Sequence, residues 1–126
     1  MKKEFITYEI ALRLKELGFD EECFMIFRDG TLKAPALTDW YNHNCRIGNT
    51  ISAPLWQQVI DWFREKHNIH IEILSFDTET ILYDPIVKQL INGEWSDEYP
   101  EYDSQDNYYT ARELAIQKAI EILFEN

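Results

Sequence analysis

The sequence predicts an α+β fold in which three helices pack mainly on one face of a small antiparallel sheet. Three segments show the apolar spacing of amphipathic helices, near residues 8–17, 52–67 and 111–124. The dipeptides Asp29-Gly30 and Asn92-Gly93 are typical of two-residue hairpin turns. Strands and helices do not alternate along the chain, so a parallel sheet is not expected.

The first predicted elements are a helix followed by a hairpin. The helix is expected over Tyr8–Leu17, with Thr7 as its N-cap and Gly18 as the left-handed residue that ends it. The apolar run Cys23–Phe27 is predicted to be a strand that returns, after the Asp29-Gly30 turn, through Thr31–Ala34.

The second helix is the clearest element. It is predicted to begin near Ser52, with Pro54 in its first turn, where the missing N–H is tolerated. Two adjacent rows of side chains give it a broad apolar face: Leu55, Val59, Trp62, Trp56, Ile60 and Phe63. Alternating isoleucines from Ile69 to Ile73 then predict a strand. After a polar break at Asp77–Thr80, a second strand is expected over Ile81–Tyr83.

The last part of the chain is predicted to form a hairpin and a helix. Ile86–Ile91 and Glu94-Trp95 flank the Asn-Gly turn, although Lys88–Leu90 is also compatible with a helix. Thr110 and Glu113 have the spacing of a capping box, which places the start of the third helix near residue 111.

Length and charge restrict the class of protein. A chain of 126 residues is expected to form a single domain over residues 1–126. No signal peptide or membrane span is visible, so a cytoplasmic location is predicted, with Cys23 and Cys45 reduced. The net charge of −11 disfavours direct nucleic-acid binding and is compatible with a basic protein partner.

The residues that could carry chemistry form no recognised catalytic or metal-binding pattern. The glycines are assigned mainly to turns and a helix end, which leaves none for a phosphate-binding loop. Asp39, His43 and Cys45 are close in sequence but lack the spacing of a zinc site. We therefore predict no catalytic residue, no metal and no cofactor. An alternative is a small hydrolase or nucleotide-binding enzyme that uses His43, Cys45 or the acidic cluster.

Two segments are predicted to contact a protein partner, the loop of residues 35–51 and the acidic, aromatic segment of residues 94–106. Tryptophan and tyrosine dominate the energetics of protein interfaces, and carboxylates can attract a basic partner. The candidate binding residues are Trp40, Tyr41, Trp95, Tyr99, Tyr102, Glu98, Glu101 and Asp103. A homodimer that uses the broad apolar face of the second helix is a further interpretation.

Two sequence blocks carry a resemblance to a known family. One is Thr7-Tyr8-Glu9 with Ala11 and the run Leu14–Glu21, and the other is Ser52–Gln58 with Trp62–Lys66. In these blocks the chain resembles a family of uncharacterised small proteins from phages and mobile elements of Bacteroides-type gut bacteria. The resemblance covers the first half of the chain and implies no activity, cofactor or site residue.

The function predicted from these observations is that of a small non-enzymatic accessory protein that binds another macromolecule. The aromatic loop and the acidic surface would make the contact. An alternative is an acidic DNA mimic that inhibits a host defence protein, which would need carboxylates spaced like phosphates along one face.

Overall fold

The computed structural model describes residues 2–34, 42–45, 49–77, 79–96 and 104–125. Three α-helices and six strands lie within these ranges. The helices are α1 (Tyr8–Glu16), α2 (Trp56–His67) and α3 (Tyr108–Glu125). The strands are β1 (Ile26–Arg28), β2 (Thr31–Lys33), β3 (Thr50–Ser52), β4 (Ile69–Asp77), β5 (Ile81–Ile91) and β6 (Glu94–Trp95).

The predicted α+β class, with three helices and antiparallel strands, is confirmed. The strands form two three-stranded sheets rather than one, in the orders β2-β1-β3 and β4-β5-β6. The chain divides into a first unit, Met1–Gln58, and a second unit, Val59–Asn126, and each contains one of the sheets. Helix α2 begins in the first unit and ends in the second. The single-domain organisation expected from the length stays a prediction.

In the first unit, helix α1 and the β1–β2 hairpin form where predicted, but β1 covers Ile26–Arg28 rather than the expected Cys23–Phe27. The Thr7 hydroxyl accepts a hydrogen bond from the Ile10 N–H at 3.3 Å, which caps the helix. At the other end Gly18 has a φ of +90°, and the Phe19 N–H donates to the Leu14 carbonyl at 2.9 Å. This pattern is a Schellman motif. Asp29 and Gly30 both have positive φ, as a type I′ turn requires.

Strand β3 was not predicted. Thr50–Ser52 pairs antiparallel with β1, so Phe27 lies between Leu32 and Ile51. Because Ser52 belongs to this strand, the expected start of the second helix there is wrong, and α2 begins at Trp56, after Pro54. A three-residue strand has too few alternations to be recognised from sequence.

The second unit is built on a long hairpin. Strands β4 and β5 pair through nine consecutive positions, from Ile69 opposite Gln89 to Asp77 opposite Ile81, and α3 packs against both. The Asn92-Gly93 turn then leads into β6, which confirms the predicted hairpin. Residues 88–90 are strand, so the helical alternative for them is wrong.

Helix α3 begins earlier than predicted, because its N-cap is Asn107 rather than Thr110. The Asn107 side-chain oxygen accepts hydrogen bonds from the N–H groups of Tyr109 at 2.8 Å and Thr110 at 3.3 Å. The capping-box prediction was therefore wrong. Within the described ranges no helix is both long and apolar enough to span a bilayer.

Candidate functional site

Most of the predicted binding residues lie outside the described residues. This holds for Trp40, Tyr41, Glu98, Tyr99, Glu101, Tyr102 and Asp103. Trp95 is described, and it is 53% exposed on β6, opposite Leu90 of β5. Its ring lies 6.0 Å from the ring of His70, whose Nε2 atom is 3.4 Å from a carboxylate oxygen of Glu72.

A second group of aromatic residues surrounds the start of α3. The ring centroids of Tyr83 and Tyr108 are 5.9 Å apart, and those of Tyr108 and Tyr109 are 5.6 Å apart. The guanidinium carbon of Arg112 lies 5.6 Å from the Tyr108 centroid and 5.2 Å from the Tyr109 centroid, within cation–π range. We call these four side chains the tyrosine–arginine cluster.

Two tertiary features bring this cluster together. The backbones of Tyr83 and Gln105 exchange two hydrogen bonds of 2.8 Å, which hold the chain before α3 against the side of β5. The Ser104 hydroxyl adds a 2.6 Å hydrogen bond to the Asp84 carboxylate. Tyr108 is the first residue of the helix, and its ring packs edge-to-face against the Tyr83 ring. The cluster therefore depends on how α3 joins the sheet.

The cluster is partly exposed and lies next to acidic groups. Tyr108 and Tyr109 are 39% and 48% exposed, and Tyr83 and Arg112 are half-buried. Such side chains present a large area while their mutual contacts restrict their rotamers. Asp84 and Glu113 adjoin cluster residues in sequence, and the acidic segment of residues 94–106 ends just before α3. These acidic residues are near the cluster in sequence, and such a stretch of the chain is suited to a basic partner.

Trp95 and the tyrosine–arginine cluster are separate features of the second unit. Trp95 pairs with Leu90, and the rise of a strand places Leu90 about 23 Å along β5 from Tyr83. Leu90 and Tyr83 also point to opposite faces, because side chains alternate along a strand. Among the described residues, the predicted anchor Trp95 therefore does not share a patch with the cluster.

The tyrosine–arginine cluster was not predicted from the sequence. A signal was present, since Arg112 follows Tyr108 and Tyr109 at the i+4 and i+3 spacings that bring helical side chains together. It was missed because the helix was expected to begin only at residue 111. The contribution of Tyr83, from a strand far away in sequence, has no local signal.

His43, a candidate residue of the alternative enzymatic interpretation, and Cys23 are both buried in the first unit. The Nε2 atom of His43 donates to the Cys23 carbonyl at 3.0 Å, and the His43 N–H donates to the Ser52 hydroxyl at 3.0 Å. Burial raises the pKa of the Cys23 thiol to about 12, so it is protonated at neutral pH and is a poor nucleophile. Both side chains serve the packing of this unit.

Metal-binding side chains do not converge in the ranges that the structure describes. No three histidine, cysteine or carboxylate groups there lie close enough to hold an ion. Asp39 and the side chain of Cys45 lie outside the described residues, so the prediction for the Asp39, His43 and Cys45 group stays a prediction.

Stability should depend on the protonation of His67 near the end of α2. Its ring lies 4.6 Å from the Trp62 ring, and burial lowers the pKa of His67 below its ordinary value of 6.5. The unfolded chain therefore takes up a proton that the folded chain resists. We expect the free energy of unfolding to be maintained above pH 6.5 and to fall as the pH drops below it.

The measurement is chemical denaturation between about pH 7.5 and pH 5.5, a range that contains the ordinary pKa of histidine. The His67→Gln variant should lose less stability than the wild type across this range. An equal loss in both proteins would show that His67 is not responsible.

Comparisons with protein-family models, with curated proteins and with solved structures found no match to this chain. The resemblance to phage and mobile-element proteins therefore stays a prediction and transfers no residue role. The functional interpretation depends on the geometry of the tyrosine–arginine cluster and on the charge around it.

Proposed function

We propose that this protein is a non-enzymatic protein-binding module, and that the tyrosine–arginine cluster anchors a partner with a basic surface. The observation that carries the proposal is that Tyr108, at the exposed start of α3, contacts Tyr109 and Arg112 of the same helix and Tyr83 of β5. Tyrosine and arginine are enriched among the residues that contribute most to interface energies. We further propose that the protein acts in the cytoplasm.

The side chains of the tyrosine–arginine cluster restrict one another before any partner binds, which supports a role in binding. The Tyr108 ring contacts both Tyr83 and Tyr109, and Arg112 lies over the Tyr108 and Tyr109 rings. Side chains that are already restricted lose less entropy when a partner binds, so more of the contact energy appears as affinity. The capping of α3 by Asn107 also gives these residues a rigid base.

Charge supports a basic partner. The chain carries 23 acidic and 12 basic side chains, and the segment that leads into α3 is rich in carboxylates. Opposite charge around an aromatic anchor accelerates association and disfavours acidic competitors. The association rate should accordingly fall as salt is added.

The placement of the charged side chains favours a protein-binding module over a DNA mimic. Some described carboxylates lie beside cationic side chains: an Asp61 oxygen is 2.7 Å from a guanidinium nitrogen of Arg64, and a Glu121 oxygen is 3.7 Å from the Lys118 ammonium. A mimic of the phosphate backbone needs uninterrupted negative charge. Interspersed bases reduce that field.

The test compares Tyr108→Ala/Tyr109→Ala with Phe124→Ala. Phe124 is a matched control, because it is an aromatic residue of similar exposure, 46%, at the opposite end of the same helix. Partners are captured from lysate of the native host on the wild-type protein, identified, purified and titrated by calorimetry. We expect the double variant to weaken binding by about tenfold or more, and the control to retain it.

Circular dichroism and thermal unfolding establish that both variants are folded. A purified partner that binds the wild type and the double variant with equal affinity would refute the proposed anchor. An enzymatic turnover that survives loss of the cluster would refute the functional class.

A further inference from the structure

The outer edge of β4 differs from the edges that soluble proteins usually leave uncovered. In the described parts of the second unit, β4 is at the edge of its sheet and pairs only with β5. It is nine residues long and keeps regular register with β5 over all nine positions. It contains no lysine or proline. Short length, bulges, lysine and proline are the common devices that block further strand pairing.

The second half of β4 is open to solvent on both faces of the sheet. Leu74 and Phe76 are 44% and 37% exposed on one face, and Ser75 and Asp77 are exposed on the other. Alternate residues of an edge strand direct their N–H and C=O groups outward. An extended segment could therefore form main-chain hydrogen bonds with residues 73–77 while its side chains contact both faces.

The negative charge of the β4–β5 hairpin indicates which kind of segment would pair with the edge of β4. Residues 73–83 contain Asp77 and Glu79 and no lysine or arginine. Two copies of this edge carry the same negative charge, which disfavours self-pairing. A segment that alternates apolar and basic residues fits better. Its apolar side chains would lie beside Leu74 and Phe76, and its basic side chains beside Ser75 and Asp77.

We infer that the exposed edge of β4 is a binding site for an extended peptide of a partner protein, in which basic and apolar residues alternate. The peptide adds as a fourth strand next to β4, a recognised mode of peptide binding. This site is on the outer edge of β4, whereas Tyr83 of the tyrosine–arginine cluster lies opposite Ser75 on the neighbouring strand β5. The inference does not depend on the function proposed for that cluster.

The test uses synthetic probes and the intact protein labelled with ¹⁵N. The probe is an acetylated and amidated peptide in which lysine alternates with valine, and glutamate replaces lysine in the control peptide. We expect the lysine peptide to bind about tenfold or more tightly than the glutamate peptide. We also expect it to slow amide exchange of alternate residues within 73–77 by about tenfold. Absence of binding at about 1 mM lysine peptide overturns the inference.

Two further experiments distinguish binding by strand addition from binding by charge attraction alone. N-methylation of the peptide at its lysine positions or at its valine positions blocks only one edge of the added strand. One isomer should therefore bind and the other should not. Asp77→Lys should weaken binding by about tenfold, whereas Glu125→Lys, the same charge change on an exposed residue of α3, should not.

Equal binding of both N-methylated isomers, or slowed exchange outside β4, would overturn the site. Sedimentation of the protein without peptide shows whether a second copy of the chain occupies this edge instead. A dimer with protected β4 amides would make a second copy the occupant, and that result would overturn the proposed peptide partner.

Discussion

Replacement of Phe63 by alanine should lower the free energy of unfolding by about 3–5 kcal/mol. Phe63 is fully buried in α2, and its ring lies 5.1 Å from the Trp62 ring and 6.3 Å from the His67 ring. Alanine removes the whole aromatic ring and leaves a cavity that the neighbouring rings fill only in part. Such a loss is a large fraction of the stability of a small domain.

The measurement is urea denaturation followed by circular dichroism, with Arg64→Ala as the matched control. Arg64 is the next residue of the helix, is about half exposed, and makes a surface ion pair with Asp61. We expect the control to cost about 1 kcal/mol or less. Similar losses for the two variants would contradict the assignment of Phe63 to the core.

A second large effect is expected from the replacement of His43 by phenylalanine, at about 1–3 kcal/mol of unfolding free energy. His43 is 1% exposed, and its ring donates to the buried carbonyl of Cys23. Phenylalanine preserves an aromatic ring at this position but leaves that carbonyl without its imidazole donor. The cost is the desolvation of a buried polar group, not a loss of packing volume.

Asn49→Ala is the control for the His43 variant. Asn49 also makes a side-chain hydrogen bond, to the Asp29 carboxylate at 2.8 Å, but this bond is exposed to solvent. Water replaces the lost partner there, so its removal should change stability by about 0.5 kcal/mol or less. If both variants cost the same, burial of the His43 hydrogen bond has no energetic consequence.

The parts of the fold that could be predicted are those governed by short-range rules. Thr7 caps α1 because a threonine before an apolar helix supplies an oxygen to the N–H groups, and Gly18 ends it because a positive φ is required there. The two hairpin turns follow from Asp-Gly and Asn-Gly in the same way. Each of these signals lies within a few residues of the feature it determines.

The parts that could not be predicted depend on contacts between distant residues. Strand β3 is defined by its pairing with β1, and the division into two sheets is a matter of tertiary pairing. The start of α3 was misplaced because Thr110 offered a plausible cap, while Asn107 is the one that the tertiary structure uses. Local preferences cannot decide between two adequate caps.

The candidate site shows the same limit. The aromatic and acidic character of residues 94–106 was visible in the sequence. Trp95 is exposed, and its role as a binding residue stays a prediction. The tyrosine–arginine cluster needs Tyr83 to meet the start of a helix that begins 25 residues later in the chain. That contact is produced by the bridge between Tyr83 and Gln105.

The regular outer edge of β4 also has a consequence for handling the protein. The sequence pI is about 4.6, and at that pH the net charge that keeps molecules apart falls to zero, because the remaining carboxylate charge is balanced by the basic side chains. An unblocked strand with exposed Leu74 and Phe76 can then pair with its equivalent in another molecule. Isoelectric precipitation of this chain should therefore yield intermolecular β-structure, and mildly alkaline buffers should preserve its colloidal stability.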